Sequence, residues 1–416
     1  MEYGCIGARL RHSFSVEIHN RISDYKYELK EVSESDLESF FKKRDFKAIN
    51  VTIPYKTEII KYLDFVSDIS KKCGAVNTVV NDGEVLYGYN TDYFGLKALI
   101  EKNNVNLKNK KVAILGSGGT SKTAYALCFD SGASEIFTVS RTPENSQISY
   151  NELYTKHSDI DVIINTTPCG MYPDIYKSAV NLEIFNKLSA VIDAVYNPLR
   201  SKLVIDAEKK GITAEGGLYM LVSQAVFSYE KFFGKSAKKN LINKIFNDLL
   251  NEKENIVFIG MPGCGKSTVG EKLSVILNKK FFDTDKIIEN ETGLSVSEIF
   301  KKYGEDFFRK KESETVFKLS SQTGSVISTG GGVVLNEKNI EVLKENGIII
   351  YLDRNISDIT PTLERPLSFD TSSLNAIYES RKDLYKKYAD ITVCDFSSQE
   401  ATANEVKCKL YENTCN

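Results

Sequence analysis

A segment in the second half of the chain has the spacing of a phosphate-binding loop. Residues 260–267 read GMPGCGKS, follow the apolar run at 256–259 and precede a helical pattern. In the pattern GxxxxGK[ST], backbone N–H groups surround the phosphates, the lysine reaches the β and γ phosphates, and the hydroxyl ligates Mg²⁺. We therefore expect a nucleoside triphosphate at Lys266 and a metal ion at Ser267. The other expected nucleotide contacts are Gly260, Gly263, Cys264, Gly265 and Thr268.

A second glycine-rich turn lies in the first half of the chain. Residues 116–121 read GSGGTS, follow the apolar run at 111–115 and precede another helical pattern. Such glycines let the backbone approach a pyrophosphate, which the N–H groups at a helix N-terminus then stabilise. A plain tight turn is the alternative, because Ser121 occupies the third small position. The expected dinucleotide contacts are Gly116, Ser117, Gly118, Gly119 and Thr120.

The choice between NAD and NADP depends on the end of the next strand. About 20 residues beyond the glycines, an NAD site usually has a carboxylate that binds the ribose 2′-hydroxyl. This chain instead has Ser140, Arg141 and Thr142, and an arginine suits the 2′-phosphate of NADP. We therefore expect NADP(H) to contact these three residues. The alternative role for Arg141 is that of an exposed turn residue.

Four polar patterns precede the dinucleotide turn. They are SFS at 13–15, NVTIPYK at 50–56, GAVNT at 74–78 and YNTD at 89–92. Each pattern alone is explained by a helix cap or a turn. In this order, and followed by NTTPCGM at 165–171, DAVYNP at 193–198 and GLYMLVSQ at 217–224, they resemble shikimate dehydrogenase over about residues 1–248.

This resemblance implies reversible hydride transfer between NADPH and the C3 carbonyl of 3-dehydroshikimate. The carbonyl oxygen needs a proton donor, and by family correspondence Lys56 is that acid and base, while Asp92 holds Lys56 and a substrate hydroxyl. Without the resemblance, Lys56 would be read as an ordinary surface lysine. Gly217 is counted among the cofactor contacts, and Val16 departs from the usual proline. The other implied substrate contacts are Ser13, Ser15, Thr52, Asn77, Tyr196 and Gln224.

The motifs that follow the phosphate loop indicate its phosphate acceptor. They are DTD at 283–285, GEDFFRKKE at 304–312, GGG at 330–332, RPL at 365–367 and Arg381 with Tyr385. In this order they resemble shikimate kinase over about residues 254–410. A small carboxylated triol needs arginines for its carboxylate and an acidic group for its hydroxyls, and this set provides both.

The kinase resemblance implies a role for each motif. Arg309 and Arg381 would bind the shikimate carboxylate, and Asp285 would orient and deprotonate the 3-hydroxyl. The backbone of Gly330, Gly331 and Gly332 would pack against the ring.

Two further roles concern ATP and Mg²⁺. Asp283 would hold the Mg²⁺ shell through water, and Arg365, on a closing lid, would neutralise charge on the transferred phosphoryl group. The lid departs from the usual RPLL by ending in Ser368.

The elements that position these residues are predicted to be alternating β-strands and helices. Nearly continuous apolar strands between helical patterns indicate parallel sheets covered on both faces, the α/β class. We expect a two-lobed dehydrogenase followed by a P-loop kinase domain with a parallel sheet, like that of nucleoside monophosphate kinases. The predicted division is a substrate lobe at 1–101 plus 218–250, an NADP-binding Rossmann lobe at 102–217, a linker at 251–255 and a kinase domain at 256–416.

Composition limits the other classes of function. The 416 residues include 54 basic and 56 acidic side chains, and a net charge of −2 creates no broad field for nucleic acid or a membrane surface. The first twenty residues lack an apolar targeting segment, and the eight cysteines contain no CxxC pair. We therefore expect reduced thiols and a cytoplasmic enzyme, as a monomer or a homodimer, with no nucleic-acid or membrane partner.

The leading hypothesis is a bifunctional enzyme of aromatic amino-acid (chorismate) biosynthesis, because the product of the first half would be the substrate of the second. One alternative makes the first half a catabolic quinate/shikimate dehydrogenase, which the absence of an acidic residue at Ser140 argues against. Another is a non-catalytic sensor of shikimate-pathway compounds, which would be expected to have lost groups such as Lys56 and Asp285.

Overall fold

The chain folds into two compact units, Met1–Asp248 and Leu249–Asn416. This computed structural model describes residues 1–8, 10, 14–360, 370–394 and 396–414. Both units are built from strands and helices in alternation, and the predicted α/β class is confirmed. Among the described residues, none of the helices has the length and apolar character that crossing a membrane requires.

The first sheet of the first unit is mixed and has the order β2-β1-β3-β5-β6-β4. Its strands are β1 (Tyr3–Gly7), β2 (Tyr27–Glu31), β3 (Ala48–Val51), β4 (Phe65–Val66), β5 (Thr78–Asn81) and β6 (Leu86–Tyr89). The helices around it are α1 (Ser15–Ile22), α2 (Glu34–Lys43), α3 (Asp68–Cys73) and α4 (Asp92–Lys102). Strand β5 runs antiparallel to β3 and β6, so the residues that follow β3 lie beside the start of β5.

The second sheet is entirely parallel, with the order β12-β11-β10-β7-β8-β9. Its strands are β7 (Lys111–Leu115), β8 (Glu135–Ser140), β9 (Ile148–Ser149), β10 (Val162–Asn165), β11 (Ala190–Asp193) and β12 (Thr213–Glu215), and its helices are α5 (Gly119–Asp130), α6 (Tyr150–Lys156) and α7 (Lys202–Lys209). This is the strand order of a doubly wound dinucleotide-binding fold, whose ligand lies where the order reverses, beside the first strand, here β7.

Two helices follow the second sheet, α8 (Leu218–Phe233) and α9 (Leu241–Lys253). Helix α8 returns to the first sheet and packs against α4 and α1. The approach to α4 is close, since a Cβ on Gly95 would lie 2.7 Å from the carbonyl oxygen of Met220.

The second unit has one parallel sheet with the order β14-β15-β13-β16-β17. Its strands are β13 (Asn255–Ile259), β14 (Lys280–Asp283), β15 (Ser325–Ser328), β16 (Gly347–Leu352) and β17 (Ile391–Val393). The helices are α10 (Lys266–Leu277), α11 (Thr284–Thr292), α12 (Val296–Ser320), α13 (Glu337–Asn346), α14 (Thr371–Tyr388) and α15 (Gln399–Thr414). The phosphate loop follows β13, whose neighbours β15 and β16 end at the same edge.

The stretch 251–255, expected to be a linker, consists mostly of regular structure. Helix α9 continues to Lys253, and β13 begins at Asn255. The last carbonyl groups of a helix have no partner within it. Here Lys279 Nζ donates hydrogen bonds to the carbonyls of Asn251, Glu252 and Glu254 at 2.6, 3.2 and 2.9 Å. The polar composition of this stretch reflects a capped helix end.

Candidate active sites

The first candidate site is centred on an ion pair between Lys56 and Asp92. Lys56 follows β3, in a turn held by the buried Tyr55, whose hydroxyl donates to the Val32 carbonyl at 2.7 Å. Asp92 is the first residue of α4. Lys56 Nζ lies 2.6 Å from Asp92 Oδ2, with the side chains 14% and 8% exposed. The structure thus brings the expected acid/base and its carboxylate partner together in a largely dry setting.

Two of the expected substrate contacts meet beside this pair. Asn77 Nδ2 donates to Gln224 Oε1 at 3.4 Å and to Thr91 Oγ1 at 3.0 Å. Asn77 precedes β5, and Gln224 comes from α8. Both side chains are polar and buried, so their amides lie where bulk water has little access.

The remaining expected substrate contacts are placed by three different segments. Thr52 directly follows β3, in the same turn as Lys56, and Ser15 is the first residue of α1. The Tyr196 ring lies 5.4 Å from the Phe14 ring between centroids, which puts Tyr196 next to the segment that carries Ser15. Ser13 lies outside the described residues.

The glycine turn after β7 approaches the same lysine. A Cβ on Gly119 would lie 3.0 Å from Lys56 Cβ, and Lys56 Nζ donates to Thr120 Oγ1 at 3.4 Å. Gly116 has a φ of 109°, and a Cβ there would lie 2.8 Å from Thr166 Oγ1. A Cβ on Gly118 would meet no described atom within 4 Å. The turn therefore offers backbone N–H groups at the start of α5 to a pyrophosphate, as a dinucleotide requires.

The segment expected to select NADP lies next to this turn. The Gly116 amide donates to the carbonyl of Val139 at 2.8 Å, which brings the end of β8 beside the glycines. The Thr142 amide donates to Ser140 Oγ at 3.3 Å, while Ser140 Oγ donates to the Thr142 carbonyl at 3.1 Å. Arg141, at the tip of this closed turn, is exposed and available to a phosphate.

Gly217 has a packing reason to be glycine. Its amide donates to the Val195 carbonyl at 2.7 Å, and a Cβ on Gly217 would overlap the backbone of Ala194. The residue caps α8 where that helix meets the segment after β11, close to Tyr196 in the chain. Its cofactor contact stays a prediction.

The second candidate site is built on the phosphate loop after β13. Gly260, Gly263 and Gly265 have φ values of 144°, 83° and 103°, which other residues rarely adopt. Lys266 Nζ donates to the carbonyls of Gly260 and Met261, both at 2.9 Å, and the residue is 7% exposed. The side chain of Cys264 is buried beneath the loop, so any contact it makes with a nucleotide uses its backbone.

The two expected metal ligands are in direct contact. Ser267 Oγ donates to Asp283 Oδ2 at 2.5 Å. The other carboxylate oxygen of Asp283 accepts from the amides of Asp285 and Lys286 at 3.0 and 3.2 Å, capping α11. A hydroxyl and a carboxylate are the oxygen ligands that Mg²⁺ prefers, usually with retained waters, and the pair therefore fits that ion.

Asp285 lies opposite a second buried carboxyl group, that of Glu312. Burial, with Asp283 and Glu312 nearby, raises the pKa of Asp285 to about 7. Glu312 Oε2 accepts from Arg309 Nη1 at 2.8 Å, and burial raises the pKa of Glu312. The sequence motif contained Glu312 without a role for it. The signal that could have found it is its position three residues after Arg309 on one helix.

Three consecutive glycines connect these side chains to the phosphate loop. A Cβ on Gly330 would lie 2.6 Å from Glu312 Oε1 and 2.8 Å from Asp285 Oδ1. A Cβ on Gly331 would lie 2.7 Å from the ring of Pro262 in the phosphate loop. A Cβ on Gly332 would overlap the guanidinium of Arg309. A side chain at any of these positions would require one of these neighbours to move.

The second arginine holds the middle glycine. Arg381 Nη1 donates to the Gly331 carbonyl at 3.0 Å, and the Tyr385 hydroxyl donates to the same oxygen. A cavity of about 970 Å³ joins both ends of the site. The predicted residues that line it are Gly263, Gly265, Lys266, Ser267, Thr268, Asp285, Arg309, Gly330, Gly331, Gly332 and Arg381. Arg365 and Ser368 lie outside the described residues.

Each unit matches a known family. The shikimate dehydrogenase substrate binding domain family matches residues 5–79, and the shikimate kinase family matches residues 262–411.

Similar whole proteins match the first unit. Over 243 residues, 55% of this chain and 90% of the relative, the chain is 38% identical to a shikimate dehydrogenase (NADP(+)) from Clostridium beijerinckii. The crystal structure of shikimate dehydrogenase 1 from Peptoclostridium difficile is 36% identical, with a TM-score of 0.56 over 60% of this chain and 98% of that one. A chorismate mutase/shikimate 5-dehydrogenase fusion protein from Clostridium acetobutylicum is 38% identical, with a TM-score of 0.56 over 59% and 96%. Over its first unit the chain therefore belongs to the shikimate dehydrogenase family, and its second unit carries a shikimate kinase domain.

Proposed function

We propose that this chain is a bifunctional enzyme of chorismate biosynthesis. Its first unit reduces 3-dehydroshikimate to shikimate with NADPH, and its second unit phosphorylates shikimate to shikimate 3-phosphate with ATP. The observation that carries the proposal is that two separate groups of side chains in one chain suit two reactions, the product of the first being the substrate of the second.

In the first unit, Lys56 is the residue that transfers the proton. NADPH supplies the hydride when bound at the glycine turn. Lys56 Nζ, held by Asp92 at 2.6 Å, donates a proton to the oxygen that gains negative charge, and takes it back in the reverse direction. The other carboxylate oxygen of Asp92 accepts from a substrate hydroxyl. The other substrate contacts are proposed to be Ser13, Ser15, Thr52, Asn77, Tyr196 and Gln224.

In the second unit, Asp285 receives the proton of the attacking hydroxyl. ATP supplies the phosphoryl group, and Mg²⁺ neutralises charge on its oxygens. A carboxyl group with a pKa near 7 is half ionised at neutral pH, which suits a general base. Arg309 and Arg381 bind the substrate carboxylate, and Arg365 neutralises charge on the transferred phosphoryl group.

The finer assignments belong to the same proposal. Ser267 and Asp283 hold Mg²⁺, and Arg141 favours NADP over NAD, which a comparison of the two KM values tests. The first unit divides into lobes at about residues 102 and 218, where α4 ends before the second sheet and α8 begins after it. The described cysteines are free thiols, which supports a reducing, cytoplasmic location. The enzyme is a monomer or a homodimer.

The deciding experiment follows both reactions in the full chain. With 3-dehydroshikimate, NADPH, ATP and Mg²⁺, the wild-type chain should form shikimate 3-phosphate, and without ATP it should stop at shikimate. Lys56→Ala should form the phosphate only from added shikimate, whereas Asp285→Asn should stop at shikimate. A folded wild-type chain that fails in either half contradicts the bifunctional assignment. Faster oxidation of quinate with NAD than of shikimate with NADP would favour the catabolic alternative.

A further inference from the structure

The side chains expected to bind the dehydrogenase substrate rest on buried polar residues from several elements. Asn50 on β3 is 6% exposed, and Thr78 on β5 and Thr91 before α4 are each 0% exposed. These three side chains converge on the hydroxyl of Ser228, a 0% exposed residue of α8. Ser228 and its hydrogen-bond partners are called the Ser228 hub below.

The hydroxyl of Ser228 is surrounded by four polar groups. Asn50 Nδ2 donates to it at 2.7 Å, and the hydroxyls of Thr91 and Thr78 lie at 2.9 and 3.0 Å. Ser228 Oγ donates to the carbonyl of Gln224 at 2.9 Å. A serine hydroxyl has one proton and two lone pairs. The carbonyl uses the proton, and the amide and one threonine hydroxyl use the lone pairs, so the hydroxyl is fully engaged.

Three of the four partners in the hub are, or directly adjoin, an expected substrate contact. Thr78 follows Asn77, Thr91 precedes Asp92, and Gln224 is itself such a contact. Asn77 Oδ1 accepts from the Thr91 amide at 2.7 Å, while Asn77 Nδ2 donates to Thr91 Oγ1 at 3.0 Å. The direction in which the Asn77 amide points therefore depends on where Thr91 is held.

We propose that Ser228 is a positioning residue for the dehydrogenase substrate. It ties α8 to β3, β5 and the start of α4, and so sets the relative placement of Asn77, Asp92 and Gln224 without touching the substrate. This inference rests on the dehydrogenase activity proposed above. Because no hydrogen bond of Ser228, Asn50, Thr78 or Thr91 reaches an expected cofactor residue among the described residues, the effect should fall on binding of the small substrate.

The test is Ser228→Ala in the full chain, compared with Ser223→Ala. Ser223 lies on the same helix and is 0% exposed, and its hydroxyl makes no hydrogen bond to any described residue. Loss of the hub hydroxyl leaves buried groups with one partner fewer. In the dehydrogenase reaction, KM for shikimate and KM for 3-dehydroshikimate should therefore rise about tenfold. KM for NADPH should stay within about twofold of wild type, and Ser223→Ala should match wild type throughout.

The split between KM values separates positioning from a loss of folded protein. A purely structural defect would lower kcat for every substrate and leave KM unchanged, whereas the kinase activity of the same chain reports the amount of intact protein. The inference would be overturned if Ser228→Ala had the same KM values as Ser223→Ala. It would also be overturned if KM for NADPH rose as much as KM for the small substrate. If the alanine variant no longer binds NADPH, Ser228→Cys, a weaker hydrogen-bonding group, is judged by the same criteria. A wild-type chain that does not reduce 3-dehydroshikimate would instead contradict the proposed function, and this inference with it.

Discussion

At the scale of single residues, the most informative pair is Asp285 and Glu312. Within the described part of the chain, Asp285 Oδ1 and Glu312 Oε1 are both buried without a hydrogen-bond partner. Both oxygens lie within 3 Å of the space that a Cβ on Gly330 would occupy, at 2.8 and 2.6 Å. Two carboxyl groups so close together resist being ionised at once. Burial and Asp283 raise the pKa of the proposed base, and Glu312 adds to that shift without needing to touch the substrate.

This pair predicts how phosphorylation depends on pH. Asp285 must be ionised to accept a proton, and its pKa is raised to about 7, so kcat/KM for shikimate should rise with pH and level off above about pH 7. Glu312→Gln removes one negative neighbour and favours ionised Asp285, so the acidic limb should move to lower pH. The measurement is the pH profile of kcat/KM for wild type and variant.

Glu305→Gln is the matched control for that profile. Glu305 contacts the same Arg309 at 2.9 Å, but its side chain is 42% exposed, so its charge is screened by water. The control should leave the acidic limb in place. If the acidic limb of the pH profile stays in place in Glu312→Gln, or moves equally in both variants, Glu312 does not influence the ionisation of Asp285.

Arg309 provides a second prediction at this scale. Arg309→Ala removes a charge-assisted contact to the substrate carboxylate and leaves Glu312 buried without its cation, so KM for shikimate should rise about 10- to 100-fold. KM for ATP should change much less. Lys311→Ala, which removes a partly exposed cation paired with Glu314 on the same helix, is the control. Equal increases in both KM values would indicate a structural role for Arg309.

At the scale of elements, the turn that contains Gly331 joins the two ends of the kinase site. Its carbonyl is held by Arg381 and Tyr385, and its Cα faces Pro262 of the phosphate loop. Because a Cβ would lie 2.7 Å from the Pro262 ring, Gly331→Ala must displace either the loop or the turn.

Gly331→Ala should therefore weaken the binding of both ATP and shikimate. We expect a rise of about tenfold or more in both KM values, a size typical of steric overpacking. Dehydrogenase activity of the same chain serves as the internal control. A variant in which only one KM changes would mean that the turn and the loop move independently.

Local spacing explains which elements and sites could be predicted from the sequence. The phosphate loop and the dinucleotide turn each lie within about eight residues, and the backbone conformation they need is encoded by their own glycines. The Ser228 hub could not be found this way, because its partners come from β3, β5 and α8 and meet only after folding. The helical structure at the end of α9 could not be predicted for the same reason. The cap of that helix, Lys279, is 25 or more residues away in the chain.

At the scale of the whole molecule, the two units are expected to work without each other. Lys56→Ala should slow the reduction of 3-dehydroshikimate at saturating substrate by about 10²- to 10⁴-fold, the usual contribution of general acid catalysis, and leave shikimate phosphorylation unchanged. Asp285→Asn should do the reverse and accumulate shikimate. Lys61→Ala is the control for the first variant, since it removes an exposed lysine five residues along the chain. Loss of both activities in either single variant would contradict independent catalysis.

The capped end of α9 determines where the chain can be divided. A kinase fragment that began at residue 254 would lack the carbonyls of Asn251 and Glu252, two of the three acceptors that Lys279 uses. Its amine, whose pKa burial already lowers to about 8, would then be half-buried with a single acceptor left. Gly324 would also lose the Lys253 carbonyl, to which its amide donates at 2.7 Å. Proteolysis or truncation intended to release a stable kinase should therefore leave the last turn of this helix attached.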